Sequence, residues 1–264
     1  MKKLLFLILA GISLFCFSSC TVPTYVQSTP NIPMLEEQYD FEVSVIPPLI
    51  NFSTPELLPR GELLASFAPL DNFFVQGSFL LGGSADSTGI LNWDTHKFKQ
   101  HDYSFGAGYF AMLDEHFFSV SSGYGGGKLN LAKIWEWPTD VDNLKASYAR
   151  YNRFYLQGGY SIFISEGLAL GIGLRYEIND YRSFRLLDAK FDQTTNSRYI
   201  IELNEWKDKN LFVFSPVFSL TKKYYDSPIS AFVKFGSSNM QNWNDFHVNK
   251  RFMVVGITFS PDYN

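Results

Sequence analysis

Hydrophobic side chains return at every second position through much of this chain. Leu168, Leu170, Ile172, Leu174, Tyr176 and Ile178 alternate with Ala169, Gly171, Gly173, Arg175, Glu177 and Asn179. A strand sends successive side chains to opposite faces, so this stretch predicts a two-faced strand. The preceding arm behaves alike: Phe154, Leu156, Tyr160 and Ile162 share one face, Arg153, Gln157, Gly159 and Ser161 the other. Ser165-Glu166-Gly167 lies between them as a tight turn. The result is a long hairpin with one apolar face and one face of glycine and isolated charges. In a soluble sandwich the apolar face would be core. In a membrane barrel it meets lipid and the other face lines a lumen. A water-facing surface would carry Lys, Glu and Thr more often than Gly, so the pattern favours the membrane barrel.

The same period recurs at residues 40–46, 61–68, 73–81, 102–112, 117–129, 210–220, 229–236 and 251–259. Short turns fall near 69–72, 113–116, 165–167 and 222–227. Long loops fall near 47–60, 82–101, 130–148, 182–208 and 237–248. Within 182–208, Tyr199-Ile200-Ile201-Glu202-Leu203 suggests strands projecting beyond a membrane. Short turns on one side and long loops on the other are the asymmetry of an outer-membrane barrel. The expected fold is therefore all-β: a closed antiparallel up-and-down transmembrane barrel of about ten strands. Its turns would be periplasmic and its loops extracellular. Eight strands would result if residues 40–46 stood outside the barrel and one other hairpin arm were not a strand. Closure follows from the solvent, because lipid offers unpaired backbone groups no partner.

The amino terminus adds a location. Lys2 and Lys3 precede an uncharged run to Phe17, as in a secretory signal over residues 1–19. Ser18-Ser19-Cys20 resembles the bacterial lipoprotein signal, although Phe17 stands where Leu is usual. That resemblance implies cleavage before Cys20 and its acylation, with palmitate among the expected lipids. Cys16 and Cys20 are the chain's two cysteines, so the mature chain could form no internal disulfide. Residues 20–38, with Pro23, Pro30 and Pro33 and no period, read as a tether in the periplasm. Residues 39–264 form the barrel. A net charge of −4 with no basic block makes nucleic acid an unsuitable partner.

The inward set includes Glu42, Glu62, Gln76, Asp102, Arg153, Gln157, Arg175, Glu177 and Lys234. Ionised groups in a narrow barrel should be paired, because unpaired burial is costly. Barrels of this size are mostly filled by side chains, so a polar network fixing register is expected ahead of a channel. Trp93, Trp135, Trp137, Trp206 and Trp243 all fall in the long loops. They suit a girdle at the lipid headgroups, or contacts to a glycan or protein outside the cell. His101 beside Asp102 and Ser104 is where a hydrolase acting on lipid A or phospholipid would be sought. Neither Cys/His spacing nor a glycine-rich loop suggests a metal or other cofactor.

Ser19-Cys20, Asn31-Ile32-Pro33-Met34-Leu35, Ala68-Pro69-Leu70-Asp71-Asn72 and Tyr151-Asn152-Arg153-Phe154-Tyr155-Leu156-Gln157 together resemble the small outer-membrane β-barrel lipoproteins of Bacteroidetes. The resemblance implies architecture and no shared reaction or ligand. Members sent to the cell surface tend to carry acidic residues after the cysteine. Thr21-Val22-Pro23-Thr24 lacks them, which implies a periplasm-facing anchor. The expected protein is thus a monomeric, lipid-anchored, non-enzymatic outer-membrane barrel, structural or partner-binding through its loops. A barrel enzyme acting on lipid, or a periplasmic barrel holding an apolar ligand, are the alternatives.

Overall fold

A computed structural model describes residues 28–47, 60–88, 94–135, 143–165, 167–192, 197–203, 210–223, 227–237, 239–240 and 251–261. The strands are β1 (Phe41–Ile46), β2 (Arg60–Leu70), β3 (Phe73–Thr88), β4 (Asp94–Leu113), β5 (His116–Trp135), β6 (Asn143–Ser165), β7 (Leu168–Asp192), β8 (Ser197–Leu203), β9 (Asn210–Lys223), β10 (Ile229–Ser237), β11 (Asn239–Met240) and β12 (Arg251–Phe259). Each pairs antiparallel with its neighbours, and β7 pairs with β9 and β1 with β12. Ten strands therefore close into a barrel, with β8 and β11 outside the ring. At the seam Val43 lies opposite Phe259, and the Ser44 and Thr258 hydroxyls are 2.6 Å apart.

The barrel is apolar outward. Leu170, Ile172 and Phe214 are 41%, 46% and 37% exposed, whereas Arg175 and Glu177 are 2% and 0% exposed. Phe105, Phe118, Leu156, Phe218 and Ile257 extend the exposed apolar surface around the ring. Such a belt on a closed sheet belongs in hydrocarbon, where every backbone group is satisfied within the ring.

The short turns behave as read. Asn72 (φ 61°), Asp114 (φ 54°) and Gly167 (φ 81°) supply the left-handed residue at three of them. That conformation is tolerated best by Gly, Asn and Asp. The loop side differs from the sequence reading. Residues assigned to the loops 82–101 and 130–148 belong largely to β3, β4, β5 and β6, which run on as paired strands. The strands β7 and β8 do so as well, with Leu186 opposite Leu203. Polar composition hid these extensions, because paired strands beyond the lipid need no apolar face.

The tether is also different. Of residues 20–38, those from 28 onward are described, and Ser28, Thr29, Asn31, Ile32 and Leu35 are buried. They lie inside the barrel rather than free in the periplasm. Leu35 packs with Ala68, Phe74, Phe110 and Phe117 near the short turns, with Phe163 against them. A second apolar cluster, Ile46, Leu64, Val217, Phe232, Phe252 and Val254, occupies another part of the interior.

Candidate functional site

The inner wall and the segment it holds form the site. All seven residues of the expected lumen network are buried: Glu62, Gln76, Arg153, Gln157, Arg175, Glu177 and Lys234. The structure sorts them into two groups.

The first group is a charge quartet on β4, β6 and β7. Arg153 Nη2 lies 2.7 Å from Asp102 Oδ1, and Arg153 Nη1 lies 3.8 Å from Glu177 Oε1. Arg175 Nε lies 2.7 Å from Glu177 Oε1, an ion pair within β7. Tyr151 Oη donates to Asp102 Oδ2 at 2.6 Å. Two acids and two bases cancel, so the quartet carries no net charge in a site where an excess charge would be costly. The Arg175 guanidinium also sits 4.1 Å from the centre of the Tyr155 ring, a cation–π contact. Gln76 Nε2 donates to Ser121 Oγ at 2.9 Å and Tyr155 Oη at 3.1 Å, joining β3 to β5 and β6.

The second group holds the amino-terminal segment. Thr29 N–H donates to Glu62 Oε2 at 2.9 Å, and Met34 N–H donates to Glu42 Oε2 at 3.0 Å. Asn31 Nδ2 donates to Ser66 Oγ at 2.7 Å. Gln157 Nε2 donates to the Asn31 carbonyl. Lys234 Nζ lies 3.4 Å from the Pro30 carbonyl. Four backbone groups of the segment, the Thr29 and Met34 N–H and the Pro30 and Asn31 carbonyls, are thus met by barrel side chains, in place of a neighbouring strand. The inward glycines make the room: a Cβ on Gly159 would stand 2.7 Å from Ile32 Cγ2, and one on Gly173 would stand 3.2 Å from Ile32 Cγ1.

Several features escaped the sequence reading. Tyr151 and Tyr155 are buried partners of the network, and Phe74, Phe110 and Phe117 cap the short-turn end. Phe73-Phe74, Tyr109-Phe110 and Phe117-Phe118 are adjacent aromatic pairs, which place one ring on each face. That break in alternation was the available signal.

His101, Asp102 and Ser104 do not converge. His101 is exposed and on the outer side of β4, while Asp102 and Ser104 are buried on the inner side. Asp102 is engaged by Arg153 and Tyr151. Trp135 ends β5, opposite Asp94 and Asn143, and is not in a loop. Its side chain, the other four tryptophans and Cys20 lie outside the described residues.

Neither a family model nor a curated protein matches the chain. Among solved structures it is similar to KdgM porin, at 10% identity, covering 84% of this chain and 99% of that one, with a TM-score of 0.36. It is similar to the translocator domain of autotransporter NalP from Neisseria meningitidis, at 12% identity over 84% and 88%, TM-score 0.42. It is also similar to the outer-membrane protease OmpT from Escherichia coli, at 9% identity over 85% and 94%, TM-score 0.38. At such identities no porin, translocator or protease activity transfers to this chain.

Proposed function

We propose that this chain is a lipid-anchored outer-membrane barrel of the Bacteroidetes lipoprotein type, closed by its own amino-terminal segment. It acts without catalysis, as a structural element or a platform for a partner at its long-loop end. The observation that carries the reading is the occupied lumen. Residues 28–35 run inside the wall, and their polar contacts go to Glu42, Glu62, Ser66 and Gln157, all buried barrel groups. A lumen so occupied disfavours transport. The separation of His101 from Asp102 and Ser104 removes the sequence's own suggestion for a hydrolase. The outward belt supports the membrane against a soluble ligand carrier.

For the anchor expected on Cys20 we propose the other side. Leu35, Asn31 and Thr29 meet Ala68, Ser66 and Glu62 in turn, so the segment climbs β2 away from the short turns. This supports an anchor at the long-loop end, in place of the periplasm-facing one that Thr21-Val22-Pro23-Thr24 implies. Single-channel recording in planar bilayers tests the closed lumen: the intact protein should be silent, and steady conductance steps would overturn the reading. Labelling with an alkyne palmitate should be lost in Cys20→Ala.

A further inference from the structure

The quartet and the plug leave unused a cluster on the outside of the wall. Lys99 and His101 of β4, Lys128 of β5 and Arg150 of β6 point away from the lumen, at the end of the barrel opposite the short turns. With Tyr103, Asn130 and Asn152 they line an open cleft of about 540 Å³. His101 is directly opposite Lys128, and Lys128 is directly opposite Arg150. Like charges facing each other across a sheet repel, so the row is unfavourable as it stands. The next strand shows the ordinary remedy: Arg182 of β7 is paired with Asp180, Nε to Oδ2 at 3.1 Å. Among the described residues the cleft has no such carboxylate, and the nearby Asp102 is turned inward onto Arg153.

The row's height matters as much as its charge. On β5 the outward residues Phe118, Val120 and Tyr124 give way to Lys128. On β4 they run Tyr109, Phe105, Tyr103 and then His101 and Lys99, and on β6 Leu156, Phe154 and then Asn152 and Arg150. The cations therefore stand where the apolar belt ends. An amphiphile lying on the belt would bring its headgroup to this level.

We propose that Lys99, His101, Lys128 and Arg150 bind the phosphate of a phosphorylated lipid in the leaflet at the long-loop end. Its acyl chains lie along Tyr103, Phe105 and Phe154. Arginine and lysine donate charge-assisted hydrogen bonds to phosphate oxygens, and the bound anion relieves the opposed Lys128 and Arg150. The site rests on the membrane reading above, since it needs lipid around the belt.

The test is native mass spectrometry of the delipidated full-length protein, released from detergent, with lipid A, dephosphorylated lipid A and inorganic phosphate as probes. The natural protein should retain lipid A. Lys128→Gln with Arg150→Gln should weaken that binding about tenfold or more, while Lys128→Arg with Arg150→Lys keeps it. Dephosphorylated lipid A should bind the natural protein as weakly as lipid A binds the Gln variant. Equal retention by the natural and Gln proteins would overturn the site. Displacement of lipid A by inorganic phosphate would overturn the lipid as its source. Heat-dependent gel mobility shows that each variant is a folded barrel. If the natural protein lacked that mobility and left membranes without detergent, the membrane reading itself would fall, a result distinct from loss of the site alone.

Discussion

At the scale of single residues, Arg153 is the side chain on which the interior turns. It is fully buried and reaches Asp102 on β4 and Glu177 on β7 from its place on β6. Three strands are thereby held in one register by one guanidinium, whose planar fork suits two carboxylates as a lysine would not. Removing it leaves Asp102 with the Tyr151 hydroxyl, while Glu177 keeps Arg175. Arg153→Met should therefore destabilise the barrel by about 3–5 kcal/mol, most of it from the stranded Asp102. Urea unfolding in lipid vesicles measures this. Adding Asp102→Leu to Arg153→Met should recover much of the loss, because the quartet then keeps only the paired Arg175 and Glu177. If the double variant were the less stable by the sum of both single effects, the pairing would not be what holds these strands.

At the scale of elements, the segment of residues 28–35 behaves as an inner strand without a sheet. Its partners are side chains: Glu42, Glu62, Ser66 and Gln157 take the place of a neighbouring backbone. Ile32 fits against Gly159 and Gly173, where no other residue leaves space. Gly159→Val should push Ile32 from its seat at a cost of about 1–3 kcal/mol, and should leave residues 28–35 open to added protease while the barrel survives. Unchanged protection would show that Ile32 has another place to go. This element was not legible in the sequence. A chain walled on every side has no exposed face, so Asn31-Ile32-Pro33-Met34-Leu35 carries no period and resembles a linker. The wall was legible for the opposite reason. Leu170, Ile172, Arg175 and Glu177 face two solvents that differ sharply, and the two-residue period records the difference. The charged lumen residues could be named from that period, but not their sorting into a quartet and a plug clamp. That depends on which strands lie across the lumen from one another, information that alternation along one strand does not contain.

At the scale of the whole molecule, the two ends of the barrel differ. One end holds the apolar cluster of Leu35, Ala68, Phe74, Phe110 and Phe117 beside tight turns. The other carries strands that run on past the belt, with the cationic cleft at their base. The inner segment runs between these ends, and its direction is fixed by its contacts. Met34 is clamped at Glu42, which is paired with Ser66, while Thr29 is clamped at Glu62, four residues farther along β2. Four strand residues correspond to about 13 Å, within the roughly 17 Å that five extended residues can span, so the segment rises along β2. It therefore leads toward the long-loop end as it approaches Ser28. In an outer membrane with short turns inside, that end faces the medium. A short epitope tag placed immediately before Ser28 should then be bound by antibody on intact cells. A tag in the turn at residues 114–115 should be bound only after the outer membrane is permeabilised. The opposite pattern would mean that the barrel sits in the membrane the other way up. Binding of both tags only after permeabilisation would mean that the chain ahead of Ser28 turns back toward the periplasm.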